Sequence, residues 1–275
     1  MPHVQTSTAG EVAYHTNGDY PTIPLVLLHG FCEDHSVWTP WLAHLADVPV
    51  MRIDLPGFGG SSLPPSADMR HYAKAVLAVL DEHGIEQCIL HGHSLGGYAA
   101  LEFAEGWPER LAGLGLFHSH PYTDQPANRK KRLQGIELLR RGKRDQYVAQ
   151  LFPGEFTPAF AKDHPDIIQK LIETGREQPA EAIITALEIM LGRRDHADTL
   201  RNLSVPVQII QGEADTIVPL QSATSAAKLP KIVDLEILPD VAHMGMFEAA
   251  DRTAGMVQSF WADCVARLSA ESSKS

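Results

Sequence analysis

The sequence predicts an α/β fold: a mostly parallel, twisted sheet with helices on both faces and one helical insertion. Three observations predict it. Short apolar, β-branched runs alternate with helix-period segments from residue 11 to residue 117, the pattern of a parallel sheet covered on both sides. The alternation stops after Phe117, and residues 122–196 contain no strand-like run. Strand-like runs return at 205–211 and 232–238, ahead of one last amphipathic stretch.

Residues 11–15 (EVAYH) read as an early strand and residues 25–29 (LVLLH) as a buried one. Further strands are expected at 50–54, at 87–91 (QCILH) and at 111–117. Between them, residues 69–83 place Tyr72, Val76 and Leu80 at helical spacing with Ala73 and Leu77 alongside, and Gly84 suits the position just past a helix end. In the insertion, Leu133, Ile136 and Leu139, then Tyr147, Leu151 and Phe152, then Ile167, Ile168, Leu171 and Ile172, then Ile183, Leu187 and Met190 predict successive helices. The run RKKR at 129–132 reads as a solvated helix start. The organisation is therefore a core of residues 1–122 and 197–275 with a helical unit at 123–196. The last helix carries Met256, Phe260, Cys264 and Leu268 on one stripe, with Val257, Trp261 and Val265 beside it. The polar tail SAESSKS is expected to be disordered.

The 275 residues are 44% hydrophobic and 21% charged, as in an ordinary globular protein. A chain of this length buries roughly 70–75% of its unfolded surface, so its core needs no disulfide or metal. A net charge of −11 leaves no basic footprint for nucleic acid and disfavours an anionic membrane surface. No apolar run reaches the roughly 18 residues of a spanning helix. The start MPHVQTSTAGEVAYH has no basic segment followed by an apolar one, so no signal peptide is expected. Cys32, Cys88 and Cys264 are too far apart for a disulfide framework or a zinc pattern, and read as buried thiols in a reducing cytoplasm. No apolar stripe of interface size stands apart from the core, so the sequence specifies no oligomeric state.

The strongest local signal is Gly92-His93-Ser94-Leu95-Gly96, directly after the strand QCILH and opening the helical run LGGYAALEFAEGW. That strand–turn–helix context is what a nucleophile elbow requires: a tight turn, small neighbours, and a serine hydroxyl projecting above the sheet. A hydroxyl needs a base, and the base needs an orienting carboxylate, in the chain order Ser, acid, His. Asp215 follows the strand at 205–211, and His243 follows the next strand, on the neighbouring loop. Asp124, past the fifth strand, is the rival acid; Asp240 and Glu213 are nearer but read as loop residues. An oxyanion hole needs backbone N–H donors, for which Leu95 and, in the turn after residues 25–29, Phe31 are candidates. Cys32 beside that turn reads as a small buried residue.

Five segments, LLHGFCED, DLPGFGGSS, HGHSLGGYAALEFA, QGEADTIVP and VAHMGMFE, resemble the α/β-hydrolase superfamily in content and order over almost the whole chain. The helical insertion stands where a cap domain usually sits in that family. The resemblance implies Ser94 as nucleophile, Asp215 as acid, His243 as base, and Phe31 and Leu95 as oxyanion donors. A serine at the elbow departs from the aspartate of haloalkane dehalogenases and epoxide hydrolases, so neither of those reactions is expected.

The reaction expected is two-step acyl transfer on a small or medium carboxylic ester, with no cofactor and no metal, slowing on acidification as His243 takes up a proton. Leu151, Phe152, Leu187 and Met190 are candidates for an apolar acyl pocket, and His118 and His120 for substrate contacts. The same triad serves carbon–carbon hydrolases of vinylogous diketones, enol-lactonases, acyltransferases and thioesterases; some members of the fold only bind ligands. The string Gly57-Phe58-Gly59-Gly60 lacks the helix that a dinucleotide loop must open, and reads as a turn beside the pocket. The pairs His91 and His93, and His118 and His120, lack a clear third ligand for a metal.

Overall fold

The computed structural model describes residues 2–6, 10–18, 20 and 22–272. In chain order the strands are β1 (His3–Thr6), β2 (Gly10–Thr16), β3 (Leu25–Leu28), β4 (Val50–Ile53), β5 (Cys88–His93), β6 (Leu111–Phe117), β7 (Val207–Gly212) and β8 (Val233–Leu238). They form one sheet in the order β1-β2-β4-β3-β5-β6-β7-β8. β1 and β2 pair antiparallel, as do β2 and β4; every later pairing is parallel. The parallel strands β3, β5, β6 and β7 are buried along their length, which is why they read as unbroken apolar runs rather than alternations.

The helices of the first half are α1 (Met69–Glu82) and α2 (Leu95–Gly106), which pack against each other. Asp68 caps α1 by accepting from Arg70 N, and Gly84 beyond its end has φ +61°, the left-handed geometry glycine favours. Between β6 and β7 come α3 (Pro126–Arg140), α4 (Arg144–Leu151), α5 (Pro158–Asp163), α6 (Pro165–Glu177), α7 (Ala180–Gly192) and α8 (Ala197–Asn202). Proline opens α3, α5 and α6, at the position where its missing N–H has no partner to lose. The last elements are α9 (Leu220–Ala226), α10 (Gly245–Glu248) and α11 (Ala250–Ser272). Phe260 and Cys264 of α11 press on β6 at Gly113, where any side chain would meet the Cys264 sulfur.

The sheet differs from expectation at its ends. β1 (HVQT) buries only Val4, so it shows no apolar pattern; pairing with β2 makes it a strand. β5 continues two residues further, because Gly92 and His93 keep register with Leu116 and Phe117. β7 begins at Val207 because Pro206 has no N–H to give the ladder. The expected disordered tail is corrected: α11 runs on through Ser272, with Ser269 donating to Val265 O at 3.0 Å, because extending a helix seeded by packed residues costs little. Residues 273–275 lie outside the described residues. Among the described residues no helix is long and apolar enough to cross a membrane. The three cysteines are buried and free.

Just past β4, Asp54 is fully buried and accepts from His35 N (2.7 Å), His35 Nδ1 (2.9 Å) and Gly60 N (2.9 Å). It thereby ties the turn at 57–60 to the segment after β3. Gly59 N donates to Gln178 and Gly57 lies against Ala182, so the glycine-rich string is a turn beneath α6 and α7. Burial alone would raise the Asp54 pKa, but the His35 ring and the backbone donors bring it to about 2. Its contribution to stability is therefore complete above pH 3.8 and is lost as pH falls toward 2. Asp54→Asn is expected to cost about 1–3 kcal/mol in urea unfolding at pH 7. Its deficit relative to the parent protein should shrink between pH 3.8 and 2.

Candidate active site

β5 ends at His93 and α2 begins at Leu95, so Ser94 alone turns the chain, with φ 48° and ψ −109°. Such backbone costs a non-glycine residue about 1–3 kcal/mol and persists only where the surroundings enforce it. Here Ser94 N donates to Phe117 O at 3.0 Å and Ser119 Oγ donates to Ser94 O at 2.8 Å. The flanking glycines are required by space. A Cβ on Gly92 would lie 2.2 Å from the Gly96 carbonyl, and one on Gly96 would lie 2.6 Å from Leu28 O. The first turn of α2 is thus pressed onto the end of β3.

Asp215 sits in the turn after β7, where Ile217 N (2.8 Å) and Val218 N (2.9 Å) donate to one carboxylate oxygen. The other oxygen receives Gln211 Nε2 (3.0 Å) and His243 Nδ1 (2.8 Å). Burial would raise the Asp215 pKa, but His243 and His118 hold it well below the usual carboxylate range. His243 follows β8 and is 2% exposed. Its N–H donates to Glu155 O at 2.9 Å and its carbonyl accepts from His93 Nε2 at 3.1 Å. With Nδ1 turned to Asp215, Nε2 is the ring nitrogen left for another partner.

Ser94 and His243 line one cavity of about 280 Å³. Of the residues expected to contact a substrate, His120, Leu151, Leu187 and Met190 line it, as does Phe31. Two are placed elsewhere, Phe152 and His118; Phe152 is fully buried and packs toward Gly175 of α6. Leu95 is fully buried and its backbone opens α2 at the elbow. His118 lies beneath the site, 0% exposed, with Nδ1 3.3 Å from Asp215 Oδ2 and Nε2 receiving Gly245 N–H at 3.3 Å. Burial lowers its pKa to about 4, so it braces Asp215 as a neutral ring. His120 is also lowered to about 4, by burial and then Arg193; it receives Tyr122 N–H on Nδ1 and faces Tyr98 OH.

The rival acid Asp124 is occupied by two arginines, Arg132 (2.6 Å) and Arg193 (2.9 Å), and does not meet His243. Arg129, Lys130 and Lys131 are exposed in the first turns of α3, as a solvated helix start requires, and only Arg132 departs from that reading. Arg132 is inside α3, turned inward onto Asp124 and the cavity. Glu213 and Asp240 are exposed, and Asp240 has φ +57° in the turn after β8.

Three further residues carry no sequence reading above. Glu33, 1% exposed, accepts Gly30 N–H (2.6 Å) and pairs with His93 Nδ1 (3.2 Å). Burial opposes the charge on each, but their mutual attraction lowers Glu33 and raises His93. A bridge therefore runs from the turn of Phe31 through Glu33 and His93 to the His243 carbonyl. A carboxylate three residues after the N–H it accepts is the logic of a helix-capping box, and that spacing was the available signal. Glu248 binds Thr157 N (2.8 Å) and Ala242 N (2.9 Å), joining the segment after α4 to the His243 loop. Glu155 lines the cavity, and nothing in its local sequence marks it.

Ligand atoms of His15, His35 and Asp54, of His118, Asp215 and His243, and of Glu102, Glu105 and His196 each fall within 4.8 Å of one another. The rings of His15 and His35 stack 3.4 Å apart with planes 12° from parallel, so their lone pairs do not converge on one ion. Arg194 already pairs with Glu102 and Glu105. His118 and His243 both turn Nδ1 to the Asp215 carboxylate, at 3.3 and 2.8 Å.

The sequence pattern of the alpha/beta hydrolase family matches residues 25–256, and the chain belongs to that family. It is 34% identical over 209 residues to a pimeloyl-[acyl-carrier protein] methyl ester esterase of Aeromonas hydrophila subsp. hydrophila, covering 72% of this chain and 79% of that one. It is 31% identical over 245 residues to the dihydrolipoyllysine-residue acetyltransferase component of the acetoin cleaving system of Pseudomonas putida. That match covers 86% of this chain but 63% of the longer relative. A thermophilic esterase from Thermogutta terrifontis superposes with a TM-score of 0.89 at 26% identity, over 96% of this chain and all of that one.

Removing Glu33 would leave His93 buried without its counter-charge and Gly30 N–H without its acceptor. Glu33→Ala is expected to destabilise the protein by about 3–5 kcal/mol in urea unfolding, whereas Glu33→Gln, which keeps an acceptor, should cost less.

Proposed function

We propose that the chain is a serine hydrolase that cleaves a small to medium carboxylic ester through an acyl-enzyme. The observation that carries this reading is the Asp215–His243 hydrogen bond of 2.8 Å beside a cavity shared with Ser94 on its strained turn. In the proposed reaction His243 takes the proton of Ser94 as Ser94 Oγ attacks the ester carbonyl. Asp215 holds the imidazole and stabilises its cationic form. The N–H groups of Phe31 and Leu95 receive the developing oxyanion. The alcohol leaves with the proton from His243; water deprotonated by His243 then releases the acid and frees Ser94.

The helices of residues 123–196 act in this reading as a cap. They supply Leu151, Leu187 and Met190, an apolar wall suited to an acyl or alcohol chain, and Arg132, Tyr147 and Gln150, which make the rest of the cavity polar. The esterase relatives support the ester as the scissile group.

A fluorophosphonate probe is expected to label Ser94, as mapped by mass spectrometry, and Ser94→Ala should abolish the label. Hydrolysis of short esters should fall by about 10⁴-fold or more in Ser94→Ala and in Asp215→Asn. Turnover of an ester without turnover of an enol-lactone or a vinylogous diketone identifies the bond cleaved. Folded protein that neither labels nor turns over any of the three overturns the proposal.

A further inference from the structure

Glu155 closes the turn after α4 and is 6% exposed. Its side chain borders the cavity of Ser94 and His243, while its carbonyl oxygen receives the His243 N–H at 2.9 Å. Its Oε2 is buried and has no hydrogen-bond partner. Buried polar atoms are partnered in the great majority of cases, so an orphan beside a cavity marks a place where a ligand completes the bonding. The ion pairs around it run elsewhere: Glu33 to His93, Asp215 to His243, Arg132 to Asp124. The titratable groups that act on Glu155 or feel it are Glu33, Asp215, Cys32 and Tyr147, and none is a cation. Burial first, then the two carboxylates, push its pKa well above 4.5. A carboxyl that keeps its proton has an O–H to donate, and a buried neutral acid is well suited to binding a substrate oxygen.

We propose that Glu155 is a specificity-determining residue whose carboxyl donates a hydrogen bond to a substrate oxygen outside the scissile carbonyl. The site would then favour esters with an additional ether, hydroxyl or keto oxygen over plain alkyl esters. The assignment rests on the serine-hydrolase reading in one respect: that reading commits the scissile carbonyl oxygen to Phe31 and Leu95. Glu155 stands on the His243 side of the cavity and is left for a second oxygen in the acyl or alcohol part.

The test uses ester pairs that differ by one exchange of methylene for oxygen: methyl methoxyacetate against methyl butanoate, and 2-methoxyethyl acetate against butyl acetate. Binding is measured by ligand-observed NMR titration in full-length Ser94→Ala protein, so that no turnover intervenes. The oxygenated member of at least one pair is expected to bind about tenfold more tightly, the worth of one good hydrogen bond. Glu155→Gln keeps an N–H donor and should retain that preference, whereas Glu155→Met should bring the affinity ratio within each pair close to one. Glu155→Leu is a second apolar variant in case Glu155→Met misfolds. Neither apolar variant should lower the melting temperature, since each removes an unpartnered buried carboxyl. An affinity ratio that is the same in the apolar variants and the parent, for both pairs, overturns the assignment. Turnover by protein with Ser94 intact is scored separately: its absence removes the hydrolase reading, while the binding ratios still judge Glu155.

Discussion

At the centre of this protein three backbone segments approach one another more closely than side chains allow. The end of β3, the end of β5 and the first turn of α2 meet around Ser94, with Gly92 and Gly96 as the points of contact. The cost of Ser94's positive φ is met by this crowding, since the surrounding carbonyls leave no room for the turn to relax. The same principle is repeated one loop away. Gly212, at the end of β7, lies so near the carbonyls of Val241 and Ala242 that a Cβ would be 2.2 Å from one of them. That approach keeps the loops of Asp215 and His243 side by side.

Around this frame the charges are arranged pair by pair. Asp215 is surrounded by donors, and Glu33 and His93 neutralise each other in a region almost closed to water. His118, between Asp215 and Gly245, stays neutral because burial outweighs its neighbouring carboxylate. Two negative charges are thus stable within a small volume only because each has its own imidazole. Glu155 has none, and burial, followed by those two carboxylates, pushes its pKa well above 4.5. Burial sets the size of each effect, and the nearest partner sets which protonation state prevails.

The helical region between β6 and β7 contributes to the site in two ways. Its side chains form much of the cavity wall, and its backbone holds the His243 loop, through Glu155 O on His243 N and Glu248 on Thr157 N. Arg132 and Arg193 converge on Asp124 and tie α3 and the segment after α7 to the loop that leaves β6. A carboxylate that on chain position alone rivals Asp215 is thereby committed to holding this region in place.

The sequence by itself determined the sheet's parallel strands, the elbow at Ser94 and the order of Ser94, Asp215 and His243. These rest on local signals: apolar runs for buried strands, glycines for close approach, and a polar residue just past a strand's carboxyl end. β1 was not legible because its four residues form a strand only against β2, and the end of α11 was not because a polar stretch extends a helix already anchored. The tertiary structure alone decided between Asp215 and Asp124, moved His118 and Phe152 away from the cavity, and brought Glu33, His93 and Glu155 to it. The reason is physical. Which partner a buried charge meets depends on segments 60 to 150 residues apart, as with Glu33, His93 and His243, and chain-local patterns carry no record of that distance.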